Sequence, residues 1–85
     1  MEKRFIELME EALERDSGTV LLEDEFRKYE EWDSLAHLSV VAMIDQEFNV
    51  VMERAEFDSI KTVGQLLYNI LQHGVLNSYV GRSIV

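Results

Sequence analysis

The chain has no cysteine and no proline, only four glycines and one tryptophan, and eight lysines and arginines against seventeen acids. Without cysteine there is neither a disulfide framework nor a thiolate metal site, which agrees with a reducing compartment. Two histidines are too few for a convincing metal centre, and the acids show no calcium-loop spacing. With a net charge of −9 the protein repels nucleic acid and anionic membrane and attracts basic partners. No apolar run approaches membrane-spanning length, and residues Met1 to Glu14 are too charged for a signal peptide. The expected address is therefore cytoplasmic, without membrane insertion.

What remains is an 85-residue chain, 47% hydrophobic, that makes one small domain. A chain of this length buries about 60–65% of its unfolded surface, enough for a modest core and little room for an enclosed active site. The charge is uneven: residues 1–33 hold 12 acids against 5 cations, whereas 34–85 hold 5 against 3. Basic partners are steered toward the N-terminal half.

Phe5, Leu8, Met9, Ala12 and Leu13 recur at helical spacing, with Glu7, Glu10, Glu11 and Glu14 assigned to the wet side. Asp16-Ser17-Gly18 is the expected stop. The stretch Thr19–Asp33 is long for a connection, and Val20, Leu21, Leu22, Phe26, Tyr29 and Trp32 are expected to pin it to the core. A second helix is predicted from about Ser34 to Phe48. Val41, Ile44 and Phe48, with Val40 at their edge, form its core face, and Leu35, Leu38 and Ala42 a second stripe. A connector over Asn49–Arg54 leads to a short helix near Ala55–Ile60. Thr62-Val63-Gly64-Gln65 reads as a capping box opening a last helix, with Gly74 as its stop after His73. The fold class is all-α: a small antiparallel bundle of three main helices plus one short one, over residues 1–74. The tail 75–85 is left open between packing on the bundle and fraying.

The most informative motif is Trp32-Asp33-Ser34-Leu35, where an acidic loop gives way to an apolar helix. It sets one hydroxyl at a helix N-terminus, where backbone N–H groups and the helix dipole favour an attached anion. From Trp32 to Leu71 the chain resembles acyl carrier proteins without gaps. The matching elements are Asp33-Ser34-Leu35, the helix end Asp45-Gln46-Glu47-Phe48, the short helix closing on Ile60, and Lys61-Thr62-Val63 opening the last helix. The resemblance implies that Ser34 carries a 4′-phosphopantetheine arm taken from coenzyme A by a separate phosphopantetheinyl transferase, with magnesium needed only in that complex. Asp33 then positions the site. Cargo rides as a thioester on the arm between acyl-loading and acyl-processing enzymes, and the chain is a covalent carrier, not an enzyme. A monomer is expected.

Fatty-acid carriers of this kind show acidic residues on the exposed face of the second helix; here Ala36, Ser39 and Gln46 occupy three such positions, while Asp45 and Glu47 stay charged. Docking is expected to involve Leu35, Ala36, Leu38, Ser39, Ala42, Asp45 and Gln46, meeting basic or apolar patches of a dedicated pathway. Phe57 stands where resembling proteins often have a small residue, opposite Ile44 and Ile60. A phenyl ring in that cargo cavity predicts short or polar cargo. Glu30-Glu31-Trp32 replaces the Gly-Gly lead-in of peptidyl carriers, which favours acyl cargo over an aminoacyl or D-alanyl carrier.

Two other classes compete. An unmodified acidic interaction module would use the same second helix. A hydrolase would pair Ser34 with His37 one turn away, but nothing evident orients the imidazole and no glycine-rich oxyanion element precedes the serine. His37 is expected at the core edge and Trp32 as a loop anchor. His73 is read as a last-turn residue suited to the helix dipole. Ser59, in the look-alike Asp58-Ser59-Ile60, is read as structural because Thr62 opens a new helix just beyond.

Overall fold

The computed structural model describes residues 1–84, with side-chain surroundings for residues 1–73. Four helices follow in order: α1 (Glu2–Leu13), α2 (Ser34–Phe48), the short α3 (Arg54–Ser59) and α4 (Val63–Ile84). A single 3-10 turn, Phe26–Lys28, interrupts the long first loop. The protein is an all-α bundle of three long helices and one short one. α2 packs against both α1 and α4. Among the described residues, no helix is long and apolar enough to cross a membrane.

The core joins Phe5, Leu8, Met9 and Leu13 of α1 to Phe57 and Ile60 around α3 and to Val63, Leu66, Leu67 and Ile70 of α4. From α2 it takes Ala36, Val40, Met43 and Ile44, a face offset from the expected one. Val41 and Phe48 are only partly buried, while Val40 is the most enclosed of the α2 set. The offset arises because α2 divides its apolar residues between two neighbours and the solvent. Positions 36, 40, 43 and 44 recur at the helical repeat, so they share the stripe that faces both helices.

The first helix stops earlier than Gly18. Glu14 adopts the left-handed conformation with φ 57° and closes α1 through backbone bonds to Glu10 and Glu11. Gly18, with φ 87°, serves instead in the following turn. Glu10 also departs from expectation, being 5% exposed and not on the wet face. Its Oε2 accepts the Gly18 N–H at 2.8 Å and the Val20 N–H at 3.3 Å. A carboxylate can enter the interior when backbone donors replace its water, and this one ties the loop to α1.

The rest of the loop is tied to α4. The N–H groups of Val63 and Gly64 donate to the Asp24 and Leu22 carbonyls at 2.9 and 2.8 Å. Thr62 Oγ1 accepts the Gln65 N–H at 3.1 Å, while Gln65 Oε1 accepts the Thr62 N–H at 3.2 Å, completing the expected capping box. The first donors of α4 are thus all satisfied. Gly64 makes the close approach possible, since a Cβ there would lie 3.2 Å from the Leu22 carbonyl oxygen.

α4 does not end at Gly74 but continues to Ile84. A helical glycine costs about 1 kcal/mol relative to alanine, yet it terminates a helix only where the backbone turns left-handed, and no proline follows. His73 therefore lies inside the helix, and its Nε2 meets both carboxylate oxygens of Glu56 on α3, at 2.9 and 2.7 Å. The dipole role expected for His73 gives way to a link between α3 and α4. The packing of the 75–85 segment lies outside the described residues.

Candidate functional site

Asp33 has extended backbone angles and caps α2, its Oδ1 accepting the Ala36 N–H at 2.8 Å. Ser34 is the first helical residue and is exposed. Its own N–H and that of Leu35 lie in the first turn, where no preceding helical carbonyl can reach them. Oxygen ligands of negative charge are favoured at such a tip by the unpaired donors and by the helix dipole.

Side chains around the tip sort into three groups. Leu35 and Leu38 stand out into solvent at 72% and 62% exposure. Ala42, Asp45 and Gln46 continue the exposed face, and Ser39 is half-buried. Ala36, expected on that docking face, is instead buried at 9% exposure. Two positions beyond the serine the helix has turned toward α1, so Ala36 lines the floor of the α1–α2 groove. Ile44, Phe57 and Ile60 all lie in the core. The Phe57 ring sits 5.8 Å from Phe26 and edge-on to His37 at 4.9 Å, so it fills the interior and does not point out.

His37 is a core-edge residue, as expected, held between Phe57 and Trp32, whose ring centroid is 6.2 Å away. Trp32 in turn packs edge-on against Phe26 at 5.2 Å, which anchors the loop. The Ser59 hydroxyl donates to the Glu56 carbonyl at 2.7 Å, a local structural bond. Among the described residues no cluster of histidine, cysteine and acids could hold a metal ion.

Three residues that sequence reasoning passed over shape the site. Arg27 reaches across to α3, where its Nη2 donates to the Phe57 carbonyl at 2.7 Å and its Nη1 to the Ile60 carbonyl. It caps the C-terminal end of α3 while lying over the Phe26 and Phe57 rings. Arg15 grips Glu31 with Nη1 at 2.9 and 2.8 Å and covers the Tyr29 ring. Glu31 is held below the usual carboxylate range, first by a hydrogen bond from its own backbone and then by Arg15. Burial raises the Tyr29 phenol above its ordinary range, reinforced by its hydrogen bond to Asp24 at 2.7 Å. Arg54, the third, lines a groove with Ser34 between α2 and α3. In the sequence these cations look like ordinary members of a charged surface; no spacing rule links them to their partners.

The exposed Ser34 hydroxyl thus stands at a helix tip beside open grooves. The chain matches the family described as phosphopantetheine attachment site over residues 3–67, and it belongs to that family. No curated protein matches it. Its fold is similar to the solution NMR structure of a holo acyl carrier protein from Geobacter metallireducens, with TM-score 0.78, 17% identity and 93% of each chain covered. The prosthetic group of the family, 4′-phosphopantetheine, would need an exposed oxygen and anion-tolerant surroundings, and Ser34 fits both: it is exposed, and the first-turn donors beside it would favour a phosphodiester.

Proposed function

We propose that Ser34 is the attachment point of the arm and that the protein carries acyl cargo as a thioester between the enzymes of one dedicated pathway. The observation that carries the reading is the exposed Ser34 hydroxyl at the first position of α2, capped by Asp33 and flanked by the protruding Leu35 and Leu38. In loading, the Ser34 oxygen forms a new ester bond to the coenzyme A phosphorus next to the pantetheine. The pyrophosphate bond breaks, adenosine 3′,5′-bisphosphate leaves, and the serine proton passes to a base of the transferase. Magnesium and basic groups of the transferase stabilise the developing charge. Asp33 keeps the helix tip ordered; the bound arm then supplies a thiol, which this chain lacks.

The protein acts as a monomer in the cytoplasm and leaves catalysis to its partners. Docking rests on Leu35, Leu38 and Ala42, with Ser39, Asp45 and Gln46 around them, and the acidic N-terminal half supplies long-range attraction to basic patches. Phe57, packed inside beside Ile44 and Ile60, favours short or polar cargo.

Incubation with coenzyme A, magnesium and a transferase adds one phosphopantetheinyl group, read by intact mass, and Ser34→Ala abolishes the addition while far-ultraviolet circular dichroism is unchanged. Loading of the alanine variant would remove the assignment. Protein that stays bare yet binds partners would be an interaction module, and turnover of an activated ester by bare protein would indicate a hydrolase. A generic fatty-acid ketosynthase should use the loaded protein poorly; turnover equal to that of its own carrier would count against a dedicated pathway.

A further inference from the structure

Two grooves flank Ser34, and they differ in charge. The groove toward α1 is lined by Glu11, Glu14, Glu31, Asp33 and Glu47, with Arg4 as its one lining cation, 3.8 Å from Glu47, and Glu31 paired to Arg15. The groove toward α3, about 450 Å³, contains Ser34 itself together with Arg27 and Arg54, and Trp32, His37 and Leu38 line it as well. Its acids are Asp33, engaged as the α2 cap, and Asp58.

The two arginines are differently committed. Arg27 spends both terminal nitrogens on the carbonyls of Phe57 and Ile60. Arg54 is held at one corner only: its Nε lies 3.6 Å from Asp58 Oδ2, and its side chain is 85% exposed. Among the described residues its terminal nitrogens have no partner. In a chain of net charge −9, an open guanidinium fork beside the modified position is a specific feature.

We propose that Arg54 binds the phosphodiester joining the arm to Ser34 and so lays the first segment of the arm in the α2–α3 groove. The inference rests on Ser34 being the attachment point and adds a residue that receives the anion there. A phosphodiester keeps its negative charge at neutral pH, and a guanidinium matches two of its oxygens side by side. The acidic rim on the α1 side repels the same group, so both grooves bias the arm in one direction. Asp58 remains balanced when Arg54 turns away, because Arg27 Nη2 is 3.8 Å from its other oxygen. An exposed ion pair of this kind shifts an equilibrium by at most about fivefold. The arm is thus biased toward the groove and readily released to a partner.

The test uses the full chain loaded from coenzyme A, with intact mass reading attachment at Ser34 and phosphorus NMR reading the contact. Trp32, the single tryptophan, gives a second signal from the groove wall through its emission. In the loaded wild type both signals move as salt rises from about 0.1 M to about 1 M, where the screening length falls from about 10 to about 3 Å. Arg54→Ala should resemble the high-salt wild type at every salt concentration, and Arg54→Lys should fall between. The high exposure of Arg54 keeps the fold intact in both. Superimposable phosphorus spectra for wild type and Arg54→Ala at low salt overturn the proposal. So does slower loading of Arg54→Ala with an unchanged spectrum, which would assign Arg54 to the transferase. A chain whose Ser34 stays bare removes the attachment reading and this inference together, and the mass alone reports it.

Discussion

The carboxylate of Glu10 accepts the Gly18 N–H at 2.8 Å, so a residue of α1 fixes the turn that starts the loop to Ser34. The same oxygen receives the Val20 N–H, and Val20 is 1% exposed. Glu10→Ala leaves both donors dry and should cost about 1–3 kcal/mol in urea unfolding. Glu10→Gln keeps an acceptor oxygen and should lose less. Equal stability of wild type and alanine variant would show that water replaces the carboxylate without penalty.

Arg27 should matter locally as well as globally. Arg27→Met keeps the stem against Phe26 and Phe57 but strips the Phe57 and Ile60 carbonyls of their donor. Hydrogen bonds from charged groups contribute about 1.5–3 kcal/mol. Amide exchange in α3 should quicken more than in α1. Unchanged protection across Arg54–Ser59 would mean that α3 is held by its other contacts, the His73–Glu56 pair among them.

Phe57 is 2% exposed at the centre of the short-helix side of the core. Phe57→Ala should lose about 3–5 kcal/mol through lost burial and a residual cavity. Phe57→Leu opens less space and should keep the fold. If the ring excludes long cargo, a long-chain thioester on either folded variant should resist hydrolysis better than on the wild type. Unchanged protection in both would separate Phe57 from cargo length.

Tyr29 carries a pH dependence of definite sign. Its phenol is raised above the ordinary value of 10.0 by burial and by the Asp24 hydrogen bond. The folded state therefore keeps its proton where the unfolded chain gives it up. The associated stability is present below about pH 10 and is lost as pH rises above it. Tyr29→Phe should lower the melting temperature near neutrality, by about 0.5–1.5 kcal/mol of stability, and flatten the alkaline fall. An equally steep alkaline fall in the phenylalanine variant would assign it to other groups.

The elements were legible where their signals are local. Asp33 followed three residues later by the Ala36 N–H, and Thr62 paired with Gln65, are contacts within one turn, which spacing alone reveals. Leu35, Leu38 and Ala42 likewise could be placed on the exposed side of α2 by periodicity. Periodicity put Glu10 in solvent and the resemblance put Ala36 on the exposed face, yet both are buried, because a residue at the margin of an amphipathic face is settled by what packs opposite it. At Gly18 and Gly74 the sequence named plausible stops, but α1 closes at Glu14 and α4 runs on, because φ is chosen by the chain as a whole.

By itself, then, the sequence determined an acidic all-helical chain with a capped serine at the head of its second helix, since caps and faces depend on neighbours within about four residues. Only the tertiary structure decided that Glu10 goes inside, that Arg27 caps a helix whose end lies 33 residues away, and that Arg54 shares a groove with Ser34. Those pairings join side chains distant in sequence, and they exist only once the packing of α1, α3 and the long loop against α2 and α4 has brought their backbones within a side chain's reach.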